Sequence, residues 1–219
     1  MLQAVYGLWL ARNNTRDGRK LVQLGDIVAS VKIQLADWRN ANETKASPSE
    51  PEPVQRWVPP ANGWVKINSD GAVSRNGEHG GGGAVFRDHN GGFLLGMCHF
   101  FPNLCDPEAV EVLACKRALQ VAVERNLQRV HVELDSKEVV RQINQASNNL
   151  SALGHWIPEI KDLLRSRMEA KVSWVRRSGN GDAHELARVG VGDNRSQLWV
   201  GSPPDFILSV ISDEIPSEG

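Results

Sequence analysis

The chain has little of three things that would classify it quickly. It holds three cysteines, Cys98, Cys105 and Cys115, odd in number and without Cys-x-x-Cys spacing, which excludes a disulfide framework and a thiolate zinc site. Cys115 falls in a helical pattern and reads as a small core residue. No apolar run approaches the ~18 residues of a membrane span, and Met1 is not followed by a basic stretch, an apolar core and a cleavage site. The expectation is an intracellular protein of nucleus or cytoplasm, with no membrane partner. Charge of one sign is also missing: 25 Lys and Arg against 26 Asp and Glu leave a net charge of -1, so bulk charge announces no polyanionic partner. Internal repeats are absent as well.

What is present is ordinary globular material, 219 residues with 41% apolar and 23% charged, enough for one domain with tails or at most two small ones. Residues 1–39 read as a helical segment, with Leu21, Leu24, Ile27, Val28, Val31 and Leu35 on one helix face. Residues 40–62 are a linker, with five prolines between Asn40 and Pro60 and no apolar periodicity. Residues 63–190 form the main domain. Residues 191–219 are an acidic tail, five acidic residues against one basic, whose apolar Leu198 to Val200 and Phe206 to Ile211 are expected either to pack back as a short helix or to be loosely held.

Inside the main domain, Trp64 to Asp70, the Gly-rich Gly80 to Phe86, and Phe93 to Phe101 read as three sequential strands. Glu108 to Arg125 is a helix opened by Asp106-Pro107. A strand over Val130 to Leu134, helices over Ser136 to Asn144 and Ile157 to Arg167, a strand over Lys171 to Arg176 and a helix over Asp182 to Val189 follow. This order predicts an α/β domain: a mixed five-stranded sheet, an antiparallel meander plus parallel strands, flanked by helices. Trp64, Trp156 and Trp174 fall in predicted core elements.

Asp70 closes the first strand and Asp135 the fourth, so neighbouring strands would bring the two carboxylates together. Like charges so close repel unless a cation neutralises them. Glu111 heads a helical stripe of small residues, Ala114, Cys115, Ala118 and Ala122. Alone it reads first as a first-turn glutamate favoured by the helix dipole; beside two aspartates the ligand reading takes precedence. Hard oxygen donors select Mg2+ or Mn2+, and the chemistry this implies is phosphodiester hydrolysis.

Five motifs in order then carry a resemblance: Asn68-Ser69-Asp70-Gly71-Ala72; the second strand ending Phe86-Arg87-Asp88; Glu111 with Ala118-Leu119; Glu133-Leu134-Asp135-Ser136; and Ser178-Gly179-Asn180 running into Ala183-His184-Glu185-Leu186-Ala187. Trp64 to about Val189 resembles the type 1 ribonuclease H family, especially the retroelement-derived domains common in plants. The resemblance implies an endonuclease that cuts the RNA strand of RNA/DNA hybrids with two divalent ions, acting as a monomer. Asp70, Glu111 and Asp135 would hold the first ion, Asp70 would be shared with the second, and His184 would support the second. His184 departs from the acid usual at its position, and imidazole suits Mn2+ better than Mg2+; Asp182, two residues before it, reads as a helix cap. The resemblance also implies substrate contacts from Asn76, Ser136, Lys137 and Arg177, although Asn76 reads equally as a turn residue beside Gly77. The alternative to a nuclease is a catalytically weak or inactive module that binds nucleic acid or protein on the same fold.

Overall fold

The computed structural model describes residues 56–145, 156–166 and 168–214; the expected helix over residues 21–38 and most of the linker lie outside them. The element order is β1 (Val65–Val73), β2 (Gly80–Arg87), β3 (Phe93–Phe101), α1 (Pro107–Glu124), β4 (Arg129–Leu134), α2 (Lys137–Asn144), α3 (Trp156–Ser166), β5 (Glu169–Trp174), α4 (Gly181–Gly192), β6 (Gln197–Val200) and α5 (Asp205–Glu214). Local chemistry sets several boundaries. Asp106 caps α1 by accepting from the Ala109 N–H, with Pro107 in its first turn, and Ser136 caps α2 by accepting from Val139. Both caps satisfy backbone donors that the helix leaves unpaired.

The sheet runs β5-β4-β1-β2-β3-β6. β1, β2, β3 and β6 pair antiparallel, and β1–β4 and β4–β5 pair parallel. The expected mixed sheet is therefore present, and the tail extends it: β6 adds a sixth strand along β3, and Trp199 packs with Val85, Leu186, Ile207 and Ile211. Four residues are too few for periodicity to reveal such a strand. Its form comes from the open edge of β3, which offers unpaired backbone groups.

The two faces of the sheet differ in kind. One is apolar: Ile67, Val130, Val132 and Leu134 pack on the α1 residues Val112, Cys115, Ala118, Leu119 and Ala122. The other carries a buried polar layer. Arg87, fully buried in β2, pairs with Asp182 of α4 at 2.6 Å, and the Trp57 ring covers the guanidinium at 3.9 Å. Lys66 donates to Glu133 at 2.6 Å, and Asn68 accepts from the Trp57 indole at 2.8 Å. Two readings from the sequence change here. Asn180, not Asp182, precedes α4 as its cap residue, because Asp182 is drawn inward as counter-ion to Arg87. And Trp57, in a stretch that reads as linker, is the large buried tryptophan, whereas Trp174 is 38% exposed.

The Gly-rich strand brings helices onto both faces. A Cβ on Gly80 or Gly82 would meet Val110 or Ala114 of α1 at 2.4 and 2.8 Å, and one on Gly81 or Gly83 would meet the α4 backbone at 2.6 and 2.2 Å. Alternation along the strand gives each helix two bare positions. Gly83→Ala is expected to destabilise the protein by about 3 kcal/mol, because its nearest obstacles are the backbone atoms Ala183 O and Ala187 N; thermal unfolding measures this.

In the same polar layer, burial and the nearby Lys171 and Lys66 lower the pKa of His131 to about 4. Its Nε2 meets Ser173 Oγ at 2.7 Å. Because the unfolded chain takes up this proton near pH 6.5 and the folded one only near 4, the contribution is complete above pH 6.5 and is lost as pH falls towards 4. His131→Gln should therefore flatten the decline of the unfolding midpoint between pH 6.5 and 4, read from urea denaturation.

Candidate active site

The candidate site is assembled by three elements beside the end of β4; Asp70 sits within β1, which runs on to Val73 along β2 instead of closing at Asp70. Asn68 pairs with Glu133 and Ser69 with Leu134 in the parallel β1–β4 register, so Asp70 and Asp135 both follow the last paired residues and emerge side by side. Glu111 arrives from α1, which lies against β1 where Gly71 has no side chain: a Cβ there would stand 2.7 Å from the Glu111 backbone nitrogen. The Gly71 N–H donates to Glu111 Oε2 at 2.7 Å. One oxygen from each of Asp70, Glu111 and Asp135 lies within 4.8 Å of the others.

This grouping is electrostatically unfavourable by itself. Burial first, and then the charges of Asp70 and Asp135, raise the pKa of Glu111 well above the usual carboxyl range. Asp135 is raised too, by burial and Asp70, against an opposing pull from Arg177. Glu111 Oε1 is buried and has no hydrogen-bond partner among the described residues. A buried, unpartnered oxygen in a set of three hard oxygen donors fits a small divalent cation such as Mg2+ or Mn2+.

His184, one turn into α4, joins from the other face of the sheet and donates from Nδ1 to Asp70 Oδ2 at 2.6 Å. Arg177 Nη2 stands 3.2 Å from Nε2 and 3.5 Å from Nδ1 of that ring, near-equal distances that put it over the imidazole face. Two residues with no role in the sequence reading hold this arrangement. Asn180 donates to the Ser69 carbonyl at 3.0 Å, and Asn68 donates to Asn180 Oδ1 at 3.2 Å, tying the start of α4 to β1 beside Asp70. Both stand within motif stretches, but their pairing spans 112 positions and has no local signature.

The expected substrate-contact residues divide. Arg177 is in the cluster, while Ser136 and Lys137 follow Asp135 directly. Lys137 places its ammonium 4.4 Å from the Trp174 ring centroid. Asn76 makes its contacts within the β1–β2 hairpin, donating to Glu78 at 2.6 Å.

The family model described as reverse transcriptase-like matches residues 68–190. The chain belongs to the reverse transcriptase-like family. The matched span contains all four residues of the cluster around Asp70. A provisionally named ribonuclease H protein of Arabidopsis thaliana is 29% identical over 158 residues, which are 72% of this chain and 25% of that protein; the chain thus spans about a quarter of that relative's length. Among solved structures, ribonuclease H1 from Halobacterium salinarum is similar with a TM-score of 0.55 at 22% identity, covering 60% of this chain and 99% of that one. LC11 ribonuclease H1, isolated from compost and solved with an RNA/DNA hybrid, gives 0.54 at 21% identity, covering 59% and 98%. This member of the reverse transcriptase-like family therefore has the type 1 ribonuclease H fold. No helix of the described residues is long and apolar enough to cross a membrane.

Glu111→Gln should raise stability in chelator by about 1–3 kcal/mol, because the amide removes a carboxylate that the folded state must protonate or hold against two like charges. Urea denaturation of both proteins in EDTA tests this.

Proposed function

We propose that this protein is a metal-dependent endonuclease that hydrolyses the RNA strand of RNA/DNA hybrids and derives from a retrotransposon. The observation that carries the reading is the meeting of Asp70, Glu111 and Asp135 from three elements, with Glu111 Oε1 buried and unpartnered. These three side chains would hold a divalent cation, Mg2+ or Mn2+, with Asp70 shared with a second. His184 would offer Nε2 to a second ion while its Nδ1–H keeps the hydrogen bond to Asp70, the usual arrangement of a ligating imidazole. When bound, such a cation supplies Lewis-acid stabilisation of the charge that builds on the phosphate during in-line attack.

The chain's own groups orient the substrate. Arg177 and Lys137 set two positive charges near Asp135 to receive the phosphodiester backbone, and Ser136, whose hydroxyl caps α2, would contact the substrate beside them. Asn76 at the hairpin tip would reach the 2′-hydroxyls that distinguish RNA from DNA. The hybrid as substrate is supported by the fold shared with LC11 ribonuclease H1, solved with an RNA/DNA hybrid. A second reading, a binding module with weak or no catalysis, draws on His184, an imidazole bonded to Asp70 at the position where the resemblance leads one to expect an acid.

Cleavage of an end-labelled RNA/DNA hybrid in Mg2+ and in Mn2+ tests the first reading. Wild type should cut the RNA strand, and Asp70→Asn should lose about a hundredfold or more. Hybrid binding without cleavage by any form would establish the second reading instead.

A further inference from the structure

Trp174 ends β5 directly opposite Leu134, the last paired residue of β4. It is 38% exposed. Both of its chemical handles are engaged, and both point to the candidate site. The indole N–H donates to the main-chain carbonyl of Asp135 at 3.0 Å, and the Lys137 ammonium rests over the ring at 4.4 Å. Lys137 has no carboxylate partner among the described residues, so its charge is held in place by the ring without being neutralised.

We propose that Trp174 is a positioning residue that couples two subsites: its N–H fixes the main chain of the cation ligand Asp135, and its ring holds Lys137 as a binding point for a phosphodiester group of the nucleic acid. The proposal rests on the metal-dependent nuclease reading. Tryptophan suits the position because it offers a donor and a face at once. Phenylalanine keeps only the face, and an aliphatic residue keeps neither. The Asp135 carbonyl opens the turn into α2, so losing its donor frees the carboxylate to rotate away from Asp70 and Glu111. Groups that orient a metal ligand in this way are worth roughly 10- to 100-fold in metal affinity. The Lys137 contact instead governs affinity for the strand and its salt dependence.

Two measurements on the full chain separate these roles: Mn2+ affinity by calorimetry without nucleic acid, and affinity for a short RNA/DNA hybrid in EDTA by fluorescence anisotropy at several salt concentrations. Trp174→Phe is expected to weaken Mn2+ binding about tenfold and leave hybrid binding unchanged. Trp174→Leu should weaken both. Lys137→Ala should leave Mn2+ affinity unchanged, weaken hybrid binding and reduce its salt slope by about one. A merely structural tryptophan would lower thermal stability in both Trp174 variants without separating the two affinities. Wild-type values for both affinities in the two Trp174 variants would overturn the proposal. Wild type that binds neither Mn2+ nor hybrid would instead overturn the nuclease reading, and this proposal with it.

Discussion

Glu111 meets Asp70 and Asp135 because the sheet is bare where α1 crosses it. Gly71 lets the α1 backbone come within contact distance of β1, and the glycines of β2 extend that approach on both faces. A side chain at Gly71, Gly80 or Gly82 would push α1, and Glu111 with it, away from the sheet. The carboxylates would then no longer share one site. Packing and chemistry are the same problem here: the stripe that makes a tight interface also sets the geometry of the charged groups.

Such a cluster is costly in the bare protein, and the strain is electrostatic. Burial and mutual repulsion raise the proton affinity of Glu111 and Asp135, and two cations stand beside the group, Arg177 over the His184 ring and Lys137 on Trp174. The arrangement suits a ligand that brings positive charge to the carboxylates and negative charge to the rim, as a divalent cation and a phosphodiester do together.

The opposite face works by buried polar contacts. Arg87 and Asp182 are wholly buried and paired, and the Trp57 ring keeps water from them. A pair of this kind adds little net stability but penalises any packing that separates it. It fixes the start of α4 relative to β2, as the Asn68 and Asn180 contacts fix it relative to β1. His184 reaches Asp70 because of that double anchoring.

Much of this was legible in sequence. Alternating strands, a capped 18-residue helix and an acid directly after β4 are local features, and periodicity and capping express local physics directly, although β1 continues past Asp70 to Val73. Asp70, Glu111 and Asp135 could be singled out because charge on a strand end or a small-residue stripe is conspicuous without any knowledge of partners. Trp57, Asp182, Trp174 and β6 were not legible in the same way. A tryptophan in a proline-rich stretch, an aspartate near a helix start and a four-residue apolar run each fit bland local roles, and their actual roles depend on residues far away in the chain. By itself, then, the sequence determined the element order, the mixed sheet and the identity of the acids. Tertiary structure alone decided which polar groups pair, where Lys137 and Arg177 rest, and that the tail closes the sheet edge, because those outcomes depend on contacts between distant segments that exist only once the helices lie against the sheet.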